Sequence, residues 1–328
     1  MNFFSSNAKL LLPCLLLFLS FKTLAQGREE TFWPNGNPKV LGYYDDKHYK
    51  DREWKEWYEN GQLKRSETFY RGRRNGTVTE YYENGQLRYQ QKYKPSVDFN
   101  GSIVVDGPWV EYYANGQKMK EGLYLNGGRE GQWQEWYEDG KPQKKEFILQ
   151  KKRNGQYQEW HPNGQLRLAG TYVQDNKQGL WQEWHPNGQI AKEETYDLNG
   201  TVAGKSVSYY ANGQKKAEGL YHLSTKTGEW QEWHENGQPR IKSFYSAYGL
   251  DGPYAEWHPN GTKSLESHYL QGKLHGTWQE WFENGQPKTI GFYKYGLRDE
   301  NWQVYNPEGL KTKETVYQNG KKKSEKNL

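Results

Sequence analysis

Gly131-Gln-Trp-Gln-Glu-Trp-Tyr-Glu-Asp-Gly140 is the stretch that decides the fold. It is rich in aromatic residues, has no helical period and ends on a turn pair, so it reads as one β-strand and its turn. The same unit recurs along the chain. The glycine of an Asn-Gly pair stands at Gly36, Gly61, Gly85, Gly116, Gly164, Gly188, Gly213, Gly237, Gly261 and Gly285, and Gly140 and Gly309 follow Asp139 and Glu308 at the same point. Successive turn glycines are 24 or 25 residues apart, with a single gap of 31. A second glycine precedes the turn glycine by nine residues in every repeat from Gly76 to Gly276. All length variation therefore falls in the connecting segment, and the largest is an insertion near Pro95 to Val105.

Asn-Gly between runs of aromatic and β-branched residues signals a β-hairpin, and a two-residue type I′ turn needs the positive φ that Asn and Gly tolerate. The returning strand covers residues such as 62–69. A two-residue turn sets Glu56 opposite Arg65 and Trp57 opposite Lys64. The equivalent pairs Tyr81–Arg88, Trp160–Arg167, Tyr209–Lys216, Trp233–Arg240 and Trp281–Lys288 would lay cations over rings. Strand alternation puts Trp54, Glu56 and Tyr58 on one face and Trp57 on the other. Aromatic rows on both faces do not fit a sandwich with one dry face and one wet face. They predict an all-β, elongated single-layer antiparallel solenoid of about twelve stacked hairpins, each stabilised by its neighbours. Arg52 and Glu300 stand where the leading glycine would be, as in the atypical end repeats of a solenoid.

Composition sharpens this. Of 328 residues only 33% are hydrophobic, and the mean hydropathy of −1.21 points toward disorder, but 16% are aromatic, which disordered chains are not. Residues 1–25 read as a secretory signal: Lys9, an apolar run from Leu10 to Phe21, and Thr23-Leu24-Ala25 before Gln26. The expectation is an exported chain in the periplasm, the cell envelope or the medium. Cys14, the single cysteine, lies in that run, so the exported chain would have no disulfide. Without Lys9 and Lys22 the 45 basic residues barely exceed the 40 acidic ones, which argues against nucleic acid and against a charged membrane surface as partners. Residues 26–320 form the array. Residues 321–328 form a basic C-terminal tail, read as a solvated end.

Glu56, Glu80, Glu111, Glu135, Glu159, Glu183, Glu232, Glu256 and Glu280 share one repeat position. Paired carboxylates invite a glycosidase reading. Neighbouring copies would stand about 9.6 Å apart in like environments, whereas acid and nucleophile need unlike ones. They read instead as cross-strand partners of Arg and Lys. His161, His185, His234 and His258 occupy a position that elsewhere holds Tyr or Phe, and the same spacing of about 9.6 Å is too wide for two ligands of one zinc. They read as smaller substitutes for Tyr on an aromatic ladder. No nucleophile triad, phosphate loop or zinc spacing is present in the sequence, so the expectation is no enzyme, no catalytic residue, no metal and no cofactor. Trp136, Trp160, Trp184, Trp233, Trp257 and Trp281 form the candidate binding row. The insertion from Pro95 to Val105 and the connection from Asp197 to Lys205 are candidates for specificity.

The unit Gly-x-Trp-x-Glu-Trp-Tyr-x-Asn-Gly-Gln-x-Lys with a later Tyr-x-x-Gly resembles the MORN repeat, in particular the bacterial variant often labelled antitoxin-like. Trp133 to Gly140, Trp181 to Gln189, Trp230 to Gln238 and Trp278 to Gln286 carry the resemblance, which spans about residues 31–320. It implies an elongated scaffold that binds proteins or lipids. A secreted chain fits a cytoplasmic antitoxin role poorly. Together the residues and the resemblance point to a non-enzymatic exported scaffold that binds a protein partner along an aromatic-rich β surface. The alternative is a carbohydrate or cell-wall binding module using the Trp and Tyr rows.

Overall fold

The computed structural model describes residues 27–95 and 103–328. The export segment, Cys14 and most of the insertion lie outside the described residues. The chain forms two compact units, divided between Gly116 and Gln117. In the first, the strands Arg28–Phe32, Pro38–Tyr44, Lys50–Trp57, Leu63–Tyr70, Gly76–Tyr81, Leu87–Pro95 and Ile103–Tyr112 each pair antiparallel with the next. In the second, the same succession runs from Lys118–Leu125 to Lys321–Asn327. Order in space follows order in the chain, and no helix occurs among the described residues. The expected hairpin solenoid is therefore present in both units.

The turn chemistry differs from the expectation. At Tyr58-Glu59-Asn60-Gly61, Gly61 N–H donates to the Tyr58 carbonyl at 3.0 Å, and Tyr58 N–H donates to the Gln62 carbonyl at 2.9 Å. Only Gly61 has positive φ (87°). This is a three-residue loop, a type I turn followed by a left-handed glycine, and not a type I′ turn. A second irregularity follows: Trp57 pairs with Leu63 while Glu56 pairs with Arg65, leaving Lys64 as the extra residue of a bulge. The loop and the bulge restore the expected register from Glu56 inward but overturn it at the Trp. Lys64 lies over Tyr58, not Trp57, and Lys216 over Tyr210. Arg88 lies over Tyr82 and pairs with Glu80 at 2.7 Å. Arg167 and Arg240 pair with Glu159 and Glu232.

The type I′ turns lie at the opposite edge, in the connections. Asn126-Gly127, Gln150-Lys151, Gln174-Asp175 and Leu223-Ser224 are two-residue loops with both residues at positive φ. Where the turn glycines are 25 apart, the connection is instead a three-residue loop closed by a left-handed His48 or Gly200. The 24-or-25 spacing of the sequence is thus the difference between two turn types.

The core is one tryptophan thick. Trp54, Trp133, Trp181, Trp230 and Trp302 are buried. Each indole lies flat on a glycine of the preceding returning strand (Gly42, Gly122, Gly170, Gly219 and Gly291), where an added Cβ would sit inside the ring. A tyrosine two residues after that glycine meets the ring edge-on, as Tyr172 does at 4.9 Å between centroids. The other side of the ring carries the cation four residues upstream: Lys50, Arg129, Lys177, Lys226 or Arg298, at 3.9–4.3 Å. An i, i+4 contact is foreign to a flat strand. It arises because the leading glycine between the two, such as Gly179 (φ 67°), bends the strand there. Arg52 and Glu300 keep that bend, at φ 60° and 58°, without the freedom of glycine.

Where the facing residue is not glycine, the buried position varies: Trp109 still faces Gln91, but elsewhere tryptophan gives way to another side chain or the site turns polar. Ser243 faces Tyr254, Glu146 faces Tyr157 and Glu194 faces Ser206. From Gly122 to Gly219 the facing residues alternate Gly, Glu, Gly, Glu, Gly, so the structural unit there is two hairpins long. Lys321–Asn327, expected as a solvated tail, is exposed throughout but is also a strand paired with Lys311–Gln318.

Candidate interaction surface

Within each unit, two ladders tie hairpins to their neighbours at the Asn-Gly edge. The turn asparagine accepts the main-chain N–H two residues on through Oδ1, and through Nδ2 donates to a carbonyl of the following turn. Asn60 reaches Glu83, Asn187 reaches Ala211 and Asn236 reaches Pro259, at 2.6–2.9 Å. Asp139 has no such donor, and Lys141 bonds both Asp139 Oδ2 and the Pro162 carbonyl in its place. Three residues before the turn glycine, Tyr58, Tyr137 and Tyr210 donate their hydroxyls to the carbonyls of Tyr81, Trp160 and Trp233. His161, His185, His234 and His258 place Nε2 2.8–3.1 Å from the equivalent carbonyls. A carbonyl only accepts, so each histidine carries a proton on Nε2 and donates it. The reading of these histidines as substitutes for tyrosine is correct, and the shared hydrogen bond is its reason.

The glutamate series faces basic or hydroxyl partners. Glu80, Glu159 and Glu232 pair with Arg88, Arg167 and Arg240, and Glu256 accepts from Tyr254 at 2.6 Å. Burial, then that bond to Glu256, pushes the Tyr254 phenol well up. Glu183 stands opposite Lys192 in register, but Lys192 pairs with Glu194 at 2.7 Å. The most demanding electrostatic site is Glu146, whose side chain is 2% exposed. Burial works to raise its pKa, but Lys144 and Arg129, at 3.0 and 2.7 Å, outweigh it and hold the carboxyl below its usual range. Arg153 adds a third contact at 3.1 Å. Among the described residues no cluster of three or more His, Cys, Asp or Glu could hold a metal ion.

Trp136, Trp160, Trp184, Trp233, Trp257 and Trp281 form one row on the face away from the buried tryptophans. All six are half-buried. Their strand partners are Pro142, Leu166, Ile190, Pro239, Lys263 and Pro287, so apolar side chains alternate with the rings along most of the row. Lys118, Lys215 and Lys263 lie near the rings of Trp136, Trp233 and Trp281. Much of this row is packing.

Four strongly exposed apolar residues are at the other edge, whereas Leu310, 66% exposed, follows the turn glycine Gly309 at the Asn-Gly edge. Leu198, Leu223, Tyr248 and Tyr295 sit at connection-turn tips and are 81, 61, 67 and 57% exposed. Leu223 and Tyr295 hold positive φ (47° and 49°), which costs a bulky residue strain that glycine or asparagine would avoid. The sequence reading singled out the Asp197 connection but missed the other three tips. The signal was there: the same point of other repeats carries Asn126-Gly127 or Gln271-Gly272.

A flat tryptophan on glycine, a tyrosine beside it and an Asn-Gly turn every 24 residues make a hairpin repeat, and the comparisons with known proteins give its family. The family model for the MORN repeat variant matches residues 25–46, 53–69, 74–94, 105–126, 129–148, 153–174, 177–198, 203–222, 226–247 and 274–295. The chain belongs to this family. The hairpin of residues 250–270, outside those matches, has the same fold. No curated protein matches the chain. Among solved structures it is similar to chains of the crystal structure of TcdB2-TccC3-Cdc42 (12% identity, TM-score 0.18) and of the Photorhabdus luminescens Tc holotoxin pore (11%, 0.18). The matches take in 90 and 89% of this chain but only 18% of either of those.

Proposed function

We propose that this protein is an exported, non-enzymatic repeat scaffold that binds a protein partner, and that the partner meets the connection edge from Leu198 to Tyr295. The observation that carries the reading is the display of large apolar side chains at turn tips, two of them in a strained backbone conformation. A stability-driven sequence would place Gly, Asn or Asp there. Export rests on the apolar segment before Gln26. The glutamate and histidine rows support a structural use, since their partners lie within the repeats.

The test is affinity capture from the cell-envelope fraction. Wild-type chain is compared with a variant carrying Leu198→Ser, Leu223→Asn, Tyr248→Ser and Tyr295→Asn, with a glycan array run on both. The expected result is a protein retained by the wild type and lost by the variant, whose fold is intact by circular dichroism. A glycan bound equally by both chains and lost on substitution of Trp184 and Trp233 would replace this reading with a carbohydrate-binding one. Secretion is checked by the N-terminus of the native protein, expected near Gln26.

A further inference from the structure

Asn-Gly is also the dipeptide most open to deamidation. The Gly N attacks the Asn Cγ, and a new N–C bond closes a five-membered imide. The side-chain nitrogen leaves as ammonia, taking the proton from the Gly N, and water then opens the imide to aspartate or isoaspartate. Attack requires the Asn carboxamide to swing toward the Gly nitrogen. Asn187 cannot do so without breaking two bonds, from its Nδ2 to the Ala211 carbonyl (2.6 Å) and from Gln189 N–H to its Oδ1 (3.1 Å). Asn163 is held the same way, at 2.5 and 3.0 Å.

Asn199-Gly200 is a built-in control. Its turn has the same geometry: Gly200 N–H donates to the Asp197 carbonyl, Asp197 N–H to the Thr201 carbonyl, and Gly200 is left-handed at φ 78°. The Gly N–H is thus engaged in both turns and does not separate them. The difference is the side chain. The N–H two residues on, that of Thr201, is taken by Asp197 Oδ1 at 3.0 Å, and the Asn199 side chain is exposed and makes no hydrogen bond among the described residues. We infer that Asn199 is a deamidation site of the native protein, and that the asparagine ladder shields the turns at the other edge from the same reaction.

The full chain is held folded at mildly alkaline pH and sampled over days by peptide mapping, with isoaspartate detected by mass spectrometry. Two hydrogen bonds must break before Asn187 or Asn163 reacts, so Asn199 is expected to convert at least about tenfold faster than either. In denaturant the three should converge. A second variant isolates the cause: Gln189→Pro removes the N–H that holds Asn187 Oδ1 and should speed Asn187 while leaving Asn163 slow. Equal rates for Asn199 and Asn187 in the folded wild type would overturn the inference. So would an Asn187 that stays as slow in a folded Gln189→Pro chain as in the wild type.

Discussion

The two edges of the sheet are built from the same kinds of residue and differ in how the hairpins are joined. At the Asn-Gly edge the turns share one length, and most carry the same two donors, an asparagine and a tyrosine or histidine, each reaching the next hairpin. At the connection edge the loops vary, and the side-chain ties vary with them: Glu130, Asp251 and Asp299 accept at one repeat position, and Asp175 and Ser224 at another. The lesson is that a repeat can keep one edge constant for stacking and leave the other free for specificity. Large apolar side chains such as Leu198, Leu223, Tyr248 and Tyr295 are displayed at the connection edge because the ties between hairpins there run through main-chain groups, such as Ser224 N–H to the Val202 carbonyl and Gly296 N–H to the Leu274 carbonyl, and leave the tip side chains outside.

The core shared by both edges gives the largest expected effect. Gly170→Ala drives a methyl group into the Trp181 ring and should cost about 3 kcal/mol, with the loss spreading to neighbouring hairpins. Gly170→Ser with Trp181→Tyr copies the Ser243–Tyr254 pair and should recover most of it. Urea unfolding of both variants checks this. At the constant edge, Asn187→Ala should cost about 1–2 kcal/mol, whereas Asn199→Ala at the free edge should stay within about 0.5 kcal/mol. Equal costs would erase the distinction between the edges.

Glu146 offers an electrostatic test. Its carboxyl is held below its usual range in the folded chain. Its contribution is therefore fully present above the unfolded value, near about pH 4, and is lost as pH falls through the lower folded value. Glu146→Gln should lower stability at neutral pH and flatten the acid limb of an unfolding midpoint followed down to about pH 3. One further expected effect is a gain. Replacing Gln150-Lys151 by Asn-Gly relieves two left-handed residues at the free edge and should stabilise the chain by about 1 kcal/mol.

Much of this was legible in the sequence because period and turn residues are read without coordinates. The hairpins, their antiparallel order and the equivalence of His161 with Tyr137 all followed from position in the repeat. The register at Trp57 did not. A bulge adds one residue without changing the repeat length, so counting back from Gly61 could not reveal that Lys64 is extra. The type I turn was missed for a related reason: Asn-Gly suits both turn types, and what separates them is loop length, three residues between Tyr58 and Gln62 in place of two. Gly170 looked like one glycine among many until Trp181 was seen lying on it. The exposed tips were hidden by their own irregularity, since a repeat search discards the residues that do not repeat.

The asparagine ladder is the central claim, and Asp139 with Lys141 shows how to test it. Asn187→Asp keeps the turn acceptor but removes the donor to Ala211. Native-state amide hydrogen exchange of the hairpins on either side should show protection falling by about tenfold, the equivalent of one hydrogen bond. Adding Gln189→Lys places an ammonium where Lys141 stands and should restore most of that protection. An Asn187→Asp chain exchanging like the wild type, or a loss that Gln189→Lys leaves untouched, would contradict the account.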